Sequence, residues 1–298
     1  MRQKIFILTL LLIPIIYLYF VLKYIPSNSS NFQNIEKYFG SSEFTGKLNN
    51  KLTSNKGTKS VFNFNKITFY NYSIPILMYH YVEYNPNKAD FKRDQLNIEP
   101  HIFEQQIQTL LNNNYEFITA NNLASIIKEN KKVENKYVVL TFDDGYRDFY
   151  TDVLPILKKY NVKATLYIVY NFLDNPNYLY KWQVDEIIKS NLVEIGSHTL
   201  NHTYLKGTNA NMVQNEVQES KNKLENTFNI KINSFAYPYG AYDDFAKQQV
   251  QKAGYTNAVT TDLGITANNK NIFSLKRIRP GYNTGNNLTG YLNKLQNY

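Results

Sequence analysis

The sequence has no cysteine, a single tryptophan and only four histidines among its 298 residues. The absence of cysteine excludes disulfides, thiolate metal sites, a cysteine nucleophile and iron–sulfur clusters. It does not indicate a cellular compartment, because a chain of this length can bury a large core without disulfides. The chemistry of this protein must therefore use other side chains.

A dense run of positive charge is also missing, although the formal net charge is +9. A basic protein suits acidic partners such as nucleic acid, anionic lipid or an anionic cell wall. The lysines are scattered, however, whereas nucleic-acid-binding tails concentrate them in runs. We interpret the charge as a general surface property and expect no nucleic-acid partner. The sequence does not indicate a protein partner.

The first segment of the chain is an uncharged, largely apolar run over residues 5–22, preceded and followed by basic residues. Its length lies at the lower limit for a helix that spans a bilayer. The preceding positive charge predicts a cytoplasmic N-terminus and export of the rest. A cleaved signal peptide would end in a small-x-small site, which Lys23–Pro26 lacks. We therefore predict that residues 1–26 form a membrane anchor and that the protein acts outside the cytoplasm. Cleavage, with secretion or wall association, is the alternative.

The remaining chain divides into two parts that differ in composition and in apolar periodicity. Residues 27–72 are rich in Ser, Asn, Lys and Gly and lack a clear apolar period, which is typical of a spacer. In residues 73–298, short apolar strands alternate with helices, which predicts a parallel sheet covered by helices. About seven such units indicate a closed or nearly closed β/α barrel, with functional groups at the C-terminal ends of its strands. The predicted strands are Ile74–Met78, Phe117–Thr119, Tyr137–Phe142, Ala164–Val169, Leu192–Ile195, Phe235–Tyr237, Ala258–Thr260 and Leu275–Arg279.

Two adjacent carboxylates, Asp143 and Asp144, follow one of these strands directly. Such a pair is costly to desolvate unless other groups compensate for its charge. Adjacent strand residues point to opposite faces, but Gly145 permits an unusual turn that lets both side chains reach one cavity. An Asp-Asp-Gly turn in a surface loop is the alternative.

Two of the four histidines, His198 and His202, follow another strand at i, i+4 spacing. This spacing would place both imidazoles on one face of a helical turn. Two histidines and a carboxylate form a common site for a catalytic divalent metal, with positions left open for water and substrate. Two ordinary polar histidines in a loop are the alternative.

These segments carry a resemblance to a known family. Thr141-Phe142-Asp143-Asp144-Gly145 and the segment from Ser197 to His202 resemble the first two motifs of the NodB-homology polysaccharide deacetylases, carbohydrate esterase family 4. The segment from Phe235 to Gly240 resembles the third motif, and the likeness extends over residues 74–282. The two first motifs, in this order and at this separation, are highly specific.

The resemblance implies an α/β fold of the distorted (β/α)7, TIM-like type. It also implies that Asp144, His198 and His202 hold a divalent metal and that Asp143 is the general base that activates water. The backbone N–H of Tyr239 would stabilise the oxyanion. Zinc is the favoured ion, and cobalt and nickel also suit these ligands.

The sequence departs from the family in its general acid. Classical members carry a histidine near the C-terminus, but no histidine follows His202 here. The segment from Pro75 to His80 instead resembles the opening of the poly-β-1,6-N-acetylglucosamine deacetylase subgroup, in which the N-terminal strand supplies this histidine. The resemblance therefore assigns the acid to His80, while His101 is expected to face solvent.

One further departure concerns an arginine. Other members carry it ahead of the third motif, where this chain has Asn233. On the last predicted strand, residues 275, 277 and 279 share one face, so Arg277 could orient Asp143 in its place. A charge at the barrel rim is the alternative for Arg277.

The resemblance implies a metal-dependent hydrolase that removes N-acetyl groups from N-acetylglucosamine units of a bacterial surface polysaccharide. Poly-β-1,6-N-acetylglucosamine is the favoured substrate because of His80, and peptidoglycan is the alternative. Three alternative functions stay open. A glycosidase would use two separated carboxylates and need no metal. The others are a non-catalytic glycan-binding module on the same barrel and a membrane-tethered scaffold with a structural metal.

Overall fold

The computed structural model describes residues 69–85, 87, 89–281, 284 and 287–296. The predicted membrane segment at residues 5–22 and nearly all of the predicted spacer lie outside these residues. Within the described part of the chain, no helix combines the length and the apolar character needed to cross a bilayer.

The centre of the fold is a parallel sheet. In chain order the strands are β1 (Tyr72–Ser73), β2 (Ile76–Tyr79), β3 (Tyr81–Val82), β4 (Asn97–Ile98), β5 (Tyr115–Ile118), β6 (Lys136–Phe142), β7 (Ala164–Ile168), β8 (Val193–Ser197), β9 (Ser234–Ala236), β10 (Asn257–Leu263), β11 (Thr266–Ala267) and β12 (Leu275–Arg277). The main sheet has the order β12-β10-β9-β8-β7-β6-β2, and β5 also pairs with β6. All of its pairings are parallel.

The two ends of this sheet meet. The N–H of Met78 donates to the carbonyl of Ile278, and the N–H of Ile278 donates to the carbonyl of Ile76, both at 2.8 Å. These bonds join β2 to the residue that follows β12, so the sheet forms a nearly closed barrel. The predicted β/α barrel is therefore confirmed.

The barrel has an inner and an outer layer of apolar side chains because neighbouring strand residues point to opposite faces. On β6, Leu140 and Phe142 pack in a cluster with the helices, for example against Phe103. Val139, directly before Leu140 in sequence, packs in a second cluster with Tyr167 of β7 and residues of other strands. The same alternation turns the residues at the strand ends, where the polar motifs lie, toward the interior.

Helices cover the outer layer. They are α1 (Phe91–Leu96), α2 (Pro100–Asn112), α3 (Ala120–Lys128), α4 (Leu154–Tyr160), α5 (Lys181–Lys189), α6 (Ala210–Phe228), α7 (Asp244–Lys252) and α8 (Leu288–Gln296). Helix α2 begins at Pro100, where the missing N–H of proline costs no helical hydrogen bond. Asn229, which follows the last residue of α6, adopts the left-handed conformation that terminates many helices.

Most predicted elements agree with the structure to within two residues, but some short elements were missed. A π-helical segment, Phe149–Val153, precedes α4 and was not predicted as a separate element. Helices α1 and α8 were not predicted. Helix α1 buries none of its residues, whereas α8 buries Leu288 and Leu292, an apolar pair at helical spacing that the sequence analysis missed.

Candidate active site

The aspartate loop, residues 143–145, leaves the end of β6. The N–H of Asp143 donates to the carbonyl of Tyr79 at 3.0 Å, which extends the pairing of β6 with β2. Asp144 then adopts a φ of 74° and Gly145 a φ of 78°. The predicted turn is therefore present, but it begins one residue earlier, at Asp144, where a non-glycine residue carries backbone strain.

Asp143 is paired with a buried arginine. The guanidinium of Arg277 donates through Nη1 to Oδ1 at 2.8 Å and through Nη2 to Oδ2 at 2.7 Å, and its Nε donates to the carbonyl of Thr260. Burial opposes ionisation of Asp143, but the charge and hydrogen bonds of Arg277 outweigh it and lower the pKa of this carboxyl. Arg277 lies inside the barrel and not at its rim. Asp143 is thus held as a carboxylate.

The histidine loop, residues 198–202, leaves the end of β8. The Nε2 atom of His198 lies 3.3 Å and that of His202 lies 3.2 Å from Oδ1 of Asp144. The loop is not helical, because Thr199 and His202 have φ angles of 68° and 61°. The prediction of a helical turn was therefore wrong, although both imidazoles reach the same carboxylate.

A glutamate that the sequence analysis missed holds this loop. Glu216 of α6 is buried, and its Oε2 accepts hydrogen bonds from the N–H groups of Leu200 and Asn201 at 3.0 and 2.9 Å. Its Oε1 accepts from the side-chain amide of Asn201 at 2.6 Å. A signal was present in the sequence: Glu216 lies on the buried face of α6 beside Val213 and Val217, where an unpaired charge would be costly.

The Asp144, His198 and His202 set fits a divalent cation. Each residue offers a ligand atom, and these atoms lie within 4.8 Å of one another. Oδ1 of Asp144 is buried and receives no hydrogen bond from the described residues, so it has a free coordination position. Nδ1 of His198 lies 2.8 Å from the carbonyl of Ala236. A proton on Nδ1 would satisfy that carbonyl and leave Nε2 free as a ligand.

His80 completes the group from the end of β2. Its Nε2 lies 4.0 Å from Oδ2 of Asp143, and the side chain is only partly exposed. Burial lowers the pKa of His80, although the carboxylates of Asp143 and Asp144 oppose this effect. The imidazole therefore lies beside the aspartate loop, as an acid–base group next to the carboxylate that Arg277 orients.

Tyr239 lies in the turn after β9. It has a φ of 59°, its ring is 64% exposed, and the ring centroid lies 4.6 Å from that of His202. The next residue, Gly240, also has a positive φ, and a Cβ there would lie 2.1 Å from Oγ1 of Thr261. A glycine is thus required for this turn to pack against Thr260 and Thr261 of β10.

Two other polar residues, His101 and Ser197, do not contribute to this group of carboxylates and imidazoles. His101 is exposed and stacks on Tyr84, which agrees with its predicted solvent-facing position. The hydroxyl of Ser197 donates to the hydroxyl of Ser220 at 2.8 Å. Among the described residues, this hydroxyl therefore bonds to helix α6 and not to a histidine base.

The barrel and these residues define a class of protein. Two carboxylates and three imidazoles converge at the C-terminal ends of parallel strands, as in a hydrolase site that can hold one divalent cation.

The comparisons with known proteins agree with this class. Residues 130–258 match the model of the polysaccharide deacetylase family. The chain is 31% identical over 206 residues to the putative polysaccharide deacetylase YxkH of Bacillus subtilis, covering 69% of this chain and 71% of that protein. The chain belongs to the polysaccharide deacetylase family, and it is an N-deacetylase enzyme.

Two further proteins extend the comparison. The solved structure of the Streptococcus pyogenes deacetylase PplD, in complex with acetate, superposes with a TM-score of 0.68 at 32% identity, covering 74% of this chain and 98% of that chain. The poly-beta-1,6-N-acetyl-D-glucosamine N-deacetylase of Escherichia coli is 26% identical over 236 residues. That match covers 64% of this chain but only 35% of the E. coli protein.

Proposed function

We propose that this protein is a metal-dependent deacetylase that removes N-acetyl groups from N-acetylglucosamine units of a surface polysaccharide, most specifically poly-β-1,6-N-acetylglucosamine. One observation carries the proposal. Asp143, paired with Arg277, lies between the Asp144–His198–His202 group and His80. A base, a cation site and an acid thus adjoin one another.

Asp144, His198 and His202 would hold one divalent cation, for which zinc suits the ligands and cobalt or nickel are alternatives. When bound, the cation would polarise the acetyl carbonyl and favour ionisation of water. The described residues offer this cation three ligands, which would leave coordination positions free, as a catalytic site requires, and this argues against a closed structural site.

Asp143 is the general base in this proposal. Its carboxylate takes a proton from the water that attacks the acetyl carbon. Arg277 fixes both carboxylate oxygens by hydrogen bonds, which keeps the base ionised and oriented. No covalent enzyme intermediate is needed, because water attacks directly.

His80 is the proposed general acid, and Tyr239 supports the oxyanion. The sugar amine cannot leave as an anion, so a proton must reach its nitrogen as the carbon–nitrogen bond breaks. His80 lies on the Asp143 side of the site and can supply that proton. The backbone N–H of Tyr239, in the turn beside His202, would stabilise the negative oxygen of the tetrahedral intermediate.

The substrate assignment draws on two supports. His80 occupies the end of the first barrel strand, as the resemblance to the poly-β-1,6-N-acetylglucosamine deacetylases implies. The E. coli relative bears that activity in its name. The test is acetate release from oligomers of β-1,6-linked N-acetylglucosamine, from peptidoglycan and from chitin oligomers, each before and after chelation and with zinc, cobalt or nickel restored.

We expect acetate from the β-1,6-linked oligomer, loss of activity on chelation and recovery on metal return. Faster acetate release from peptidoglycan would indicate that peptidoglycan, and not the β-1,6-linked polymer, is the substrate. New reducing ends without acetate would indicate a glycosidase, and binding without either product would indicate a glycan-binding module.

We also propose that residues 5–22 anchor the protein in the membrane with the catalytic domain outside the cytoplasm. The apolar run and the basic residues before it support this proposal. The test is fractionation of cells that express the 298-residue chain or a variant starting at residue 27. Recovery of the 298-residue chain in the soluble fraction or the medium would contradict the anchor.

A further inference from the structure

An exposed aromatic pair lies near the aspartate loop and is not used in the proposed chemistry. The indole of Trp182 is 55% exposed and the ring of Tyr180 is 37% exposed. Their centroids are 6.4 Å apart, and their planes are nearly parallel, at 14°. Trp182 is the only tryptophan in the chain. Single exposed apolar residues are common, but paired flat rings form a patch that suits a ligand.

Other side chains hold this pair in place. The guanidinium of Arg147 lies 4.2 Å from the centroid of the Tyr180 ring, and its Nε donates to the carbonyl of Tyr178 at 3.0 Å. The rings of Tyr150 and Trp182 form a T-shaped pair, with 5.4 Å between centroids and 76° between planes. The rings are thus ordered before any ligand arrives, which reduces the entropy cost of binding.

The segment that carries the pair is bonded to the aspartate loop. The N–H of Leu179 donates to the carbonyl of Gly145 at 3.0 Å, and the N–H of Arg147 donates to the carbonyl of Asn177 at 2.9 Å. A polysaccharide with one sugar bound at Asp143 must continue beyond the active site. Tyr180 and Trp182 directly follow the segment that is bonded to the aspartate loop, so they lie where the next sugars of the chain could bind.

Phe172 links the same region to the metal-binding group. Its ring centroid lies 4.7 Å from that of Tyr178 and 6.2 Å from that of His202. Aromatic surface therefore extends from the proposed ligand His202 toward the exposed pair.

We propose that Tyr180 and Trp182 form a glycan subsite that binds a sugar ring of the same polysaccharide chain, at a unit removed from the one that is deacetylated. The inference rests on the proposed function for the identity of the ligand. A pyranose ring presents a face of C–H groups that packs on an aromatic ring, while its hydroxyls remain in water. Such a subsite would give the enzyme a preference for longer oligomers.

Trp182 reports on this subsite directly, because all tryptophan emission of the chain comes from it. We would titrate the catalytically impaired Asp143→Asn variant with the β-1,6-linked pentamer and the monosaccharide and record the emission. The expected result is a saturable shift with the pentamer and no shift with the monosaccharide. Absence of a shift, while calorimetry shows that the pentamer binds, would overturn the subsite.

Kinetics give the second measurement. In an otherwise unaltered chain, Trp182→Ala should raise KM for the pentamer about tenfold and leave kcat/KM for the shortest cleaved oligomer unchanged. Trp182→Phe should recover part of the loss. The control is Tyr70→Ala, which removes a ring of similar exposure (44%) before β1, at the opposite end of the barrel.

The two proposals fail in different ways. If acetate is not released but the emission shift is present, the proposed function is wrong, and Tyr180 and Trp182 form a glycan-binding site without deacetylation. If acetate is released and Trp182→Ala weakens short and long oligomers equally, the function stands and the subsite is wrong.

Discussion

The aspartate loop and the histidine loop reach the same point, but different parts of the barrel hold them. The aspartate loop is supported from inside, by Arg277 of β12 and by the pairing of its first residue with β2. The first residue of the histidine loop is also paired with a strand, since the N–H of His198 donates to the carbonyl of Ile168, but the rest of this loop is supported from outside. Glu216 of helix α6 accepts hydrogen bonds from the N–H groups of Leu200 and Asn201.

The two supports therefore act on different parts of the proposed chemistry, the general base and the metal ligands, although these groups lie next to each other. The support of the aspartate loop contacts the proposed base itself, so its loss should reduce turnover. The support of the histidine loop contacts only the backbone and Asn201, so its loss should move the metal ligands and leave the base in place. Substitutions in the two regions should therefore affect different measured quantities.

The largest expected effect is that of Asp143→Asn in the aspartate loop. Removing the proposed base should lower kcat for acetate release by about 10²–10⁴-fold, while bound metal, measured by elemental analysis, stays at one ion per chain. His198→Ala in the histidine loop should lose both metal and activity. Full activity of Asp143→Asn would disprove the assignment of the base.

Arg277→Gln should have the next largest effect. It leaves Asp143 as a buried carboxylate without its cation, which destabilises the fold by about 3–5 kcal/mol in urea unfolding. In the protein that remains folded, a misplaced base should lower kcat by about 10²-fold.

Arg277→Lys is the matched control for that experiment. It retains the charge but cannot donate to both carboxylate oxygens in the planar geometry of arginine, so both losses should be smaller. If folded Arg277→Gln retained the kcat of the unaltered chain, Arg277 would have only a structural role.

Much of this inner support could be predicted from the sequence. The apolar strands, and the position of Asp143 and His80 directly after two of them, follow from local pattern. The inward face of residue 277 follows from the period of two in a strand. Prediction of Asp143 as the partner of Arg277 required the family resemblance. The closure of the barrel, which brings β12 beside β2 and near β6, is a long-range property that local pattern does not reveal.

The outer support could not be predicted in the same way. The i, i+4 spacing of His198 and His202 indicates a shared face only where the backbone is helical, and Thr199 and His202 are left-handed instead. Glu216 stabilises this conformation from a helix that begins after the loop, so no local pattern contains the contact.

Glu216→Gln should have a smaller effect, on the histidine loop. The neutral side chain accepts more weakly, and its single amide oxygen cannot replace both carboxylate oxygens. We expect the metal dissociation constant, measured by competition with a chelator, to rise about tenfold, with kcat at saturating metal little changed. Gln214→Ala, at an exposed position of the same helix, is the control. A fall in kcat without a change in metal affinity would contradict the separation of the two supports.

The smallest effect is expected from Gly145→Ala in the aspartate loop. A Cβ there would meet Ile168 at an ordinary contact distance of 3.6 Å, so only the φ of 78° opposes the substitution. The free energy of unfolding in urea should fall by about 1–2 kcal/mol, the cost of a left-handed alanine. Gly196→Ala, in the strand before the histidine loop, is the contrast, because its Cβ would lie 2.5 Å from the ring of Tyr167. An equal loss for both variants would mean that the aspartate loop is as tightly packed as the barrel interior, and that its conformation is fixed by packing as well as by Arg277 and the strand pairing.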